Sequence, residues 1–173
     1  MSDTPRIYVA CLAAYNAGRL HGEWIDVTDA DTMQAEIQAM LSASPAPLAE
    51  EWAIHDYDGF HGLDLSESED LDTLVSLAEF LEEHGEIGAR FLSQEGLVDD
   101  PEEGARQFED RHRGEYRSLE DFAEESLSDL LNDVPESVRM YFDFERYARD
   151  LEDCGDISTI SLSHDCVHVF SAQ

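Results

Sequence analysis

The apolar positions of the chain follow two rhythms. In the first sixty residues the runs RIYVACLAAY (6–15) and EWIDV (23–27), separated by the Gly- and Asn-containing loop NAGRLHG, predict two strands. TMQAEIQAMLSAS (32–44) then sets Met33, Ile37, Met40 and Leu41 on one helical stripe, and PAP ends it. EEWAIHDYDGF supplies a short strand from Trp52 to His55 and a turn.

From about Phe60 the helical period takes over. SESEDLDTLVSLAEFLEEHG opens with Ser66 three residues before Glu69, the spacing of a capping box, and stops at Gly85. Its buried stripe is predicted to be Leu71, Leu74, Val75, Ala78 and Leu81, flanked by Glu67, Glu69, Asp72, Glu79, Glu82 and Glu83. EIGARFL extends this as a short helical piece, and DDP begins another helix, with Asp100 as N-cap and Pro101 at the first helical position.

That next helix runs through PEEGARQFEDRH, and Ser118 caps a further one, LEDFAEESLSDLL (119–131). A Pro-interrupted segment, NDVPESVRMYF, and a helix in DFERYARDLED follow. DISTISL and VHVFS, joined by SHDC, close the chain as a hairpin. The pattern divides into residues 1–61, 62–104 and 105–173, and no repeat or low-complexity tract interrupts it.

Composition changes this picture through charge. With 173 residues and 42% hydrophobic content the chain can build a core, yet 41 acids face only 10 bases, a net charge of −31. All ten bases are Arg, since the sequence has no Lys. The excess is distributed: residues 1–60 carry −8, 61–104 carry −13 and 105–173 carry −10. Acidic tails are unbroken charge runs, whereas these acids interleave with apolar residues at helical or strand period. The negative surface therefore belongs to folded structure.

The run 119–131 shows the cost. Glu120 faces Glu124, Asp121 faces Glu125 and Glu125 faces Asp129, three like-charge pairs that each oppose a helix by roughly 0.2–0.5 kcal/mol. A surface selected only for solubility mixes both signs. Duplex DNA carries one charge per about 1.7 Å of axis, so 31 charges match about 53 Å of duplex. A compact globule of this length spans only about 40 Å. An elongated body would relieve the repulsion and reproduce the charge density of a duplex.

Other chemistry is sparse. MSDTPR lacks a charged n-region followed by an apolar one, so no secretory signal is expected and the protein is expected in the cytoplasm. The longest largely apolar run, 7–15, is far short of the roughly 20 residues of a membrane span. So negative a surface is also repelled by anionic lipid, and no membrane partner is expected. Cys11, Cys154 and Cys166 are odd in number and form no CxxC, which gives no disulfide framework. Asp56 and Asp58 before Gly59 lack the later ligands of a calcium loop and read as a solvated turn. His164, Cys166 and His168 alternate as a transition-metal group would, but they lack a fourth ligand and straddle the expected hairpin turn. No phosphate-binding Gly-rich loop, GxSxG or HExxH appears, and neither catalysis, metal nor cofactor is expected.

Three stretches carry a family resemblance: RIYVACLAAYNAGRLHGEWID, EEWAIHDYDGF, and DLLNDVPESVRMYFDFERYARDLED with GDISTISL and VHVF. The chain resembles the ArdA antirestriction proteins end to end, and the third stretch looks like the family's antirestriction motif. The resemblance implies an α+β chain of three small domains in a row (α/β, helical, α/β with a C-terminal hairpin), pairing through the last into a curved, rod-like homodimer. It implies a mimic of B-form DNA that binds the methyltransferase core of type I restriction–modification enzymes, with no nucleic acid bound.

The phosphate-mimicking surface would then be Glu67, Glu69, Asp72, Glu79, Glu82, Glu83, Glu120, Asp121, Glu124, Glu125 and Asp129. Leu130, Leu131, Val134, Pro135, Val138, Tyr141 and Phe142 would form the antirestriction motif and dimer region, although such a stripe could equally be core. Two rivals share the composition: an acidic decoy for another DNA-binding protein, and a halophile-adapted protein of unrelated function.

Overall fold

In a computed structural model, residues 4–172 are described, and the leader-free reading of MSDTPR falls partly on residues 1–3, outside them. The fold is mixed α+β with two small antiparallel sheets. It divides into two compact units, Met1–Ala105 and Arg106–Gln173.

In the first unit β1 (Arg6–Cys11) runs into a short α1 (Leu12–Asn16). The single strand expected for 6–15 therefore ends at Cys11, because LAAYN is locally better suited to a helical turn than to a pleat. β2 (Gly22–Asp26) and β3 (Trp52–Asp58) flank β1 in the order β2-β1-β3. Ile7 pairs with Ile25 and Tyr57, and Ile7 and Val9 are fully buried. β3 continues three residues beyond the expected His55, so Asp56 and Asp58 belong to a strand rather than to a turn.

α2 (Ala30–Ser42) lies against β1, β2 and α3 through Met33, Ile37, Met40 and Leu41, the stripe expected from the sequence. Its N-cap is Asp29, whose carboxylate accepts the Thr32 N–H at 2.9 Å. That bond holds the Asp29 carboxyl below its ordinary value.

α3 (Leu71–Glu95) is two helices joined at Gly85, whose φ of +56° and ψ of −139° only glycine adopts readily. The break falls at the glycine expected to stop the first helix. Asp70 is the cap, accepting from the Asp72 N–H at 3.0 Å, while Ser66 N–H donates to Glu69 in the turn before it. The expected capping box thus folds as a turn that delivers the chain to its true N-cap. Leu74, Leu77, Ala78, Phe80 and Leu81 are buried, whereas Leu71 and Val75 are half-buried at the edge. The apolar stripe is wider than expected and centred on Leu77. Burying each of its leucines and phenylalanines stabilises by about 1.5–3 kcal/mol.

α4 (Pro101–Arg111) begins at the expected proline, and Asp100 caps it by accepting the Glu103 N–H at 3.2 Å. A Cβ at Gly104 would come within 2.1 Å of the Leu92 side chain, so the two helices meet there at glycine contact.

The second unit contains a strand absent from the sequence reading, β4 (His112–Tyr116), directly after α4. α5 (Leu119–Ser126), α6 (Ser128–Leu131), α7 (Glu136–Arg139) and α8 (Phe144–Asp153) follow, then β5 (Ile157–Ser163) and β6 (Cys166–Ser171). The expected hairpin exists, but it is two-thirds of a sheet ordered β4-β6-β5. The expected helix 119–131 is interrupted at Leu127, whose side chain is buried, and resumes as α6. α5 packs on α8 with Ala123 and Ala148 fully buried, and Phe122, Ile157 and Val169 form the core with Tyr116, Leu119, Leu151 and Val167 around it.

Candidate functional surface

Most of the expected acidic residues sit on helices, but Glu67 and Glu69, expected to flank the α3 stripe, lie in the turn before α3, which begins only at Leu71. Glu67, Asp72, Glu79, Glu82, Glu83, Glu120, Glu124, Glu125 and Asp129 are exposed, and Glu69 and Asp121 are half-exposed. Glu79, Glu82 and Glu83 lie on α3 outside its buried stripe, and Glu120 and Glu124 are one turn apart on α5. Asp129 falls on α6, across the interruption at Leu127 from Glu125 on α5.

Asp121 departs most from expectation. Arg117, in the turn before α5, donates from Nε to its Oδ2 at 2.9 Å, which neutralises a carboxylate counted as free. Its own backbone N–H is taken by the Ser118 cap at 3.2 Å. Burial, and after it the nearby Glu125 carboxylate, push the Tyr116 phenol up.

The arginines do little to offset the remaining acids. Arg6 pairs with Asp58 and lies 4.8 Å from the Trp24 ring centroid, Arg90 pairs with Glu86, and Arg149 pairs with Glu145. Arg111 is buried and donates to the Ser171 carbonyl at 2.9 Å, and Arg113 donates to the Ser171 hydroxyl at 2.8 Å. Ten cations, even fully paired, leave 31 acids unbalanced. Glu79, Glu82, Glu83, Glu120, Glu124 and Asp129 take part in no ion pair among the described residues.

The expected motif residues make a different surface. Leu130, Val138, Met140 and Tyr141 are 74%, 58%, 72% and 83% exposed, and Phe142 is exposed beside the Phe144 and Tyr147 rings. Pro135 is also exposed, while Leu131 and Val134 are half-buried. These residues are therefore not core of their own unit. They border a groove of about 340 Å³ lined by Leu131, Met140 and Phe144 with Glu124, Glu136 and Arg139. Met140 was missed by the sequence reading, although it sits between two residues that were named.

On the sheet, His164 lies in the β5–β6 turn, almost fully exposed and bonded to Asp165, and so leaves the expected group with Cys166 and His168. Glu115 of β4 takes its place: it pairs in register with His168, and its Oε2 lies 3.9 Å from His168 Nε2. Cys166 Sγ is 3.7 Å from the same nitrogen. Burial holds His168 below its ordinary value, opposed by Glu115, and burial with Glu115 pushes the Cys166 thiol up.

Among the described residues, no helix is long and apolar enough to cross a membrane. The surface defines a class: an α+β protein whose helices present carboxylates in excess of any cation available to pair with them. Within that class the chain belongs to the ArdA antirestriction protein family, whose model, Antirestriction protein (ArdA), matches residues 7–165. The family is one of inhibitors rather than catalysts. No curated protein matches the chain.

Proposed function

We propose that the protein acts in the cytoplasm on type I restriction–modification enzymes, occupying the DNA-binding groove of their methyltransferase core as a stand-in for B-form DNA. The observation that carries this reading is that each unit by itself carries exposed helical carboxylates in no ion pair among the described residues, Glu79, Glu82 and Glu83 on α3 and Glu120, Glu124 and Asp129 on α5 and α6. Their charge has the sign, abundance and lysine-free background that a groove built for phosphates attracts. No chemical step on substrate is involved; inhibition follows from exclusion of DNA.

In this reading two copies of the chain pair with one another. The exposed apolar residues Leu130, Pro135, Val138, Tyr141 and Phe142 supply the contact between copies, together with the half-buried Leu131 and Val134. Glu67, Glu69, Asp72, Glu79, Glu82, Glu83, Glu120, Glu124, Glu125 and Asp129 contribute collectively, and Asp121 contributes less because Arg117 neutralises it.

The test is capture of a known system: immobilised protein in a lysate containing a type I enzyme, with retained subunits identified. The expected result is retention of the methyltransferase core, weakening as salt screens charges beyond about 8–10 Å. Retention of unrelated DNA-binding proteins with the core left in solution would replace this reading with the decoy one.

A further inference from the structure

We propose that Glu115, Cys166 and His168 form a binding site for one borderline divalent metal ion, of which Zn²⁺ is the chemical type. The three side chains each offer one ligand atom, and these atoms lie within 4.8 Å of one another. A thiolate, an imidazole and a carboxylate form a donor set suited to Zn²⁺ rather than to Mg²⁺ or Ca²⁺, which take oxygen ligands.

The spacing matches the coordination. With metal–sulfur and metal–nitrogen bonds of about 2.3 and 2.05 Å, a tetrahedral ion places S and N about 3.6 Å apart. Cys166 Sγ and His168 Nε2 are 3.7 Å apart. An oxygen and a nitrogen ligand belong about 3.3 Å apart by the same geometry. Glu115 Oε2 stands at 3.9 Å from His168 Nε2, and its exposed, rotatable side chain can close that gap.

The imidazole is positioned from behind. His112 Nε2 is 3.0 Å from His168 Nδ1, and the two rings stack at 5.2 Å, with His112 itself against Phe108 and Phe170. When His168 donates from Nδ1 to His112, its Nε2 lone pair faces Cys166 and Glu115. Metal-ligating histidines are held in this way through their second nitrogen. His168 is buried, so its ring cannot swing out to solvent, and Glu115 is its direct partner across β4 and β6. Three protein ligands leave a fourth position for water.

The ion would fasten β4 to β6 at a place where the ladder is irregular, between His112 and Gly114. It would also place positive charge beside a thiol and a carboxylate, favouring the thiolate. The site revises the sequence expectation of no metal. It is independent of the antirestriction reading, since none of its residues belongs to the proposed phosphate-mimicking set.

The experiment is titration of the chelator-treated full chain with Co²⁺ in excess Mg²⁺, so that the many surface carboxylates are occupied by a hard ion. The expected result is saturable binding of one equivalent with sulfur-to-cobalt charge-transfer absorption and intense tetrahedral d–d bands. Cys166→Ser should abolish the charge-transfer band, while Cys11→Ser, Cys154→Ser and His164→Gln should keep it. Glu115→Gln, at an exposed position that leaves folding intact, should weaken binding at least tenfold. His112→Phe should weaken it about 10–100-fold with the thiolate band retained. Zn²⁺ at a hundredfold excess over its Kd should raise the thermal midpoint by about 5–10 °C. A charge-transfer band surviving Cys166→Ser, or no cobalt–thiolate signal in the wild-type chain, would overturn the assignment.

Discussion

α3 and the segment 128–142 handle the same ingredients in opposite ways. On α3 apolar and acidic residues are segregated: Leu74, Leu77 and Leu81 are buried while Glu79, Glu82 and Glu83 face water. In 128–142 the two kinds share one surface, with Leu130, Val138, Met140 and Tyr141 exposed among Asp129, Asp133 and Glu136. A helix with a full core behind it can carry unpaired charge, because the burial of a few leucines outweighs repulsions of a few tenths of a kcal/mol. A segment without such a core leaves its apolar area to be covered by another surface. In the proposed function the first region meets a cationic groove and the second meets another copy of the chain.

The largest effect should come from the core behind the charge. In urea unfolding of the monomer, Leu77→Ala should cost about 2–5 kcal/mol, whereas Leu130→Ala should change stability by less than about 0.5 kcal/mol. Similar costs at both sites would erase the distinction between the regions. Tyr141→Asp should convert dimers to folded monomers in sedimentation with the thermal midpoint of the monomer retained. Unfolding of that variant would instead assign Tyr141 to a core.

The acids should behave in the reverse sense. Glu120, Glu124, Glu125 and Asp129 replaced together by their amides should weaken inhibition of restriction by about 10–100-fold, since each exposed ion pair contributes about 0–1 kcal/mol. The thermal midpoint should hold or rise as the Glu120–Glu124 repulsion disappears. Asp121 is left out of this set because its replacement would also break the bond to Arg117.

A smaller effect is pH-dependent. The Asp29 carboxyl is depressed from 3.8 by the Thr32 N–H, so its cap stabilises above that value and is lost as pH falls through the lower folded-state value. The thermal midpoint of Asp29→Ala should therefore trail the wild type near neutrality and meet it in strong acid. Smallest of all, Glu124→Gln alone should leave inhibition nearly unchanged, and an abrupt loss in a folded protein would mean one carboxylate dominates.

The α2 stripe, the Asp100–Pro101 start, the Gly85 stop and the Ser118 cap were legible because each is a local signal with one physical cause. β4 was not: HRGEY has one β-forming residue, and the strand exists because β6 offers it hydrogen bonds from more than fifty residues away. Missing β4 hid Glu115 from the metal group, whose spacing pointed instead to His164. The acidic surface was legible as charge in a helical period. The loss of Asp121 to Arg117 was not, because its cation stands before the Ser118 cap, outside the helical run that carries the acids. The exposure of Tyr141 and its neighbours could not be read either, since an apolar stripe looks alike whether its partner is its own core or another chain.

The most direct measurement is competition on an isolated type I methyltransferase core, titrating this protein against a duplex carrying the recognition sequence. The two should be mutually exclusive, with the apparent affinity of the protein falling in proportion as the duplex fills the groove and both affinities falling with salt. Undiminished binding of the protein to a core already saturated with tight-binding duplex would contradict DNA mimicry.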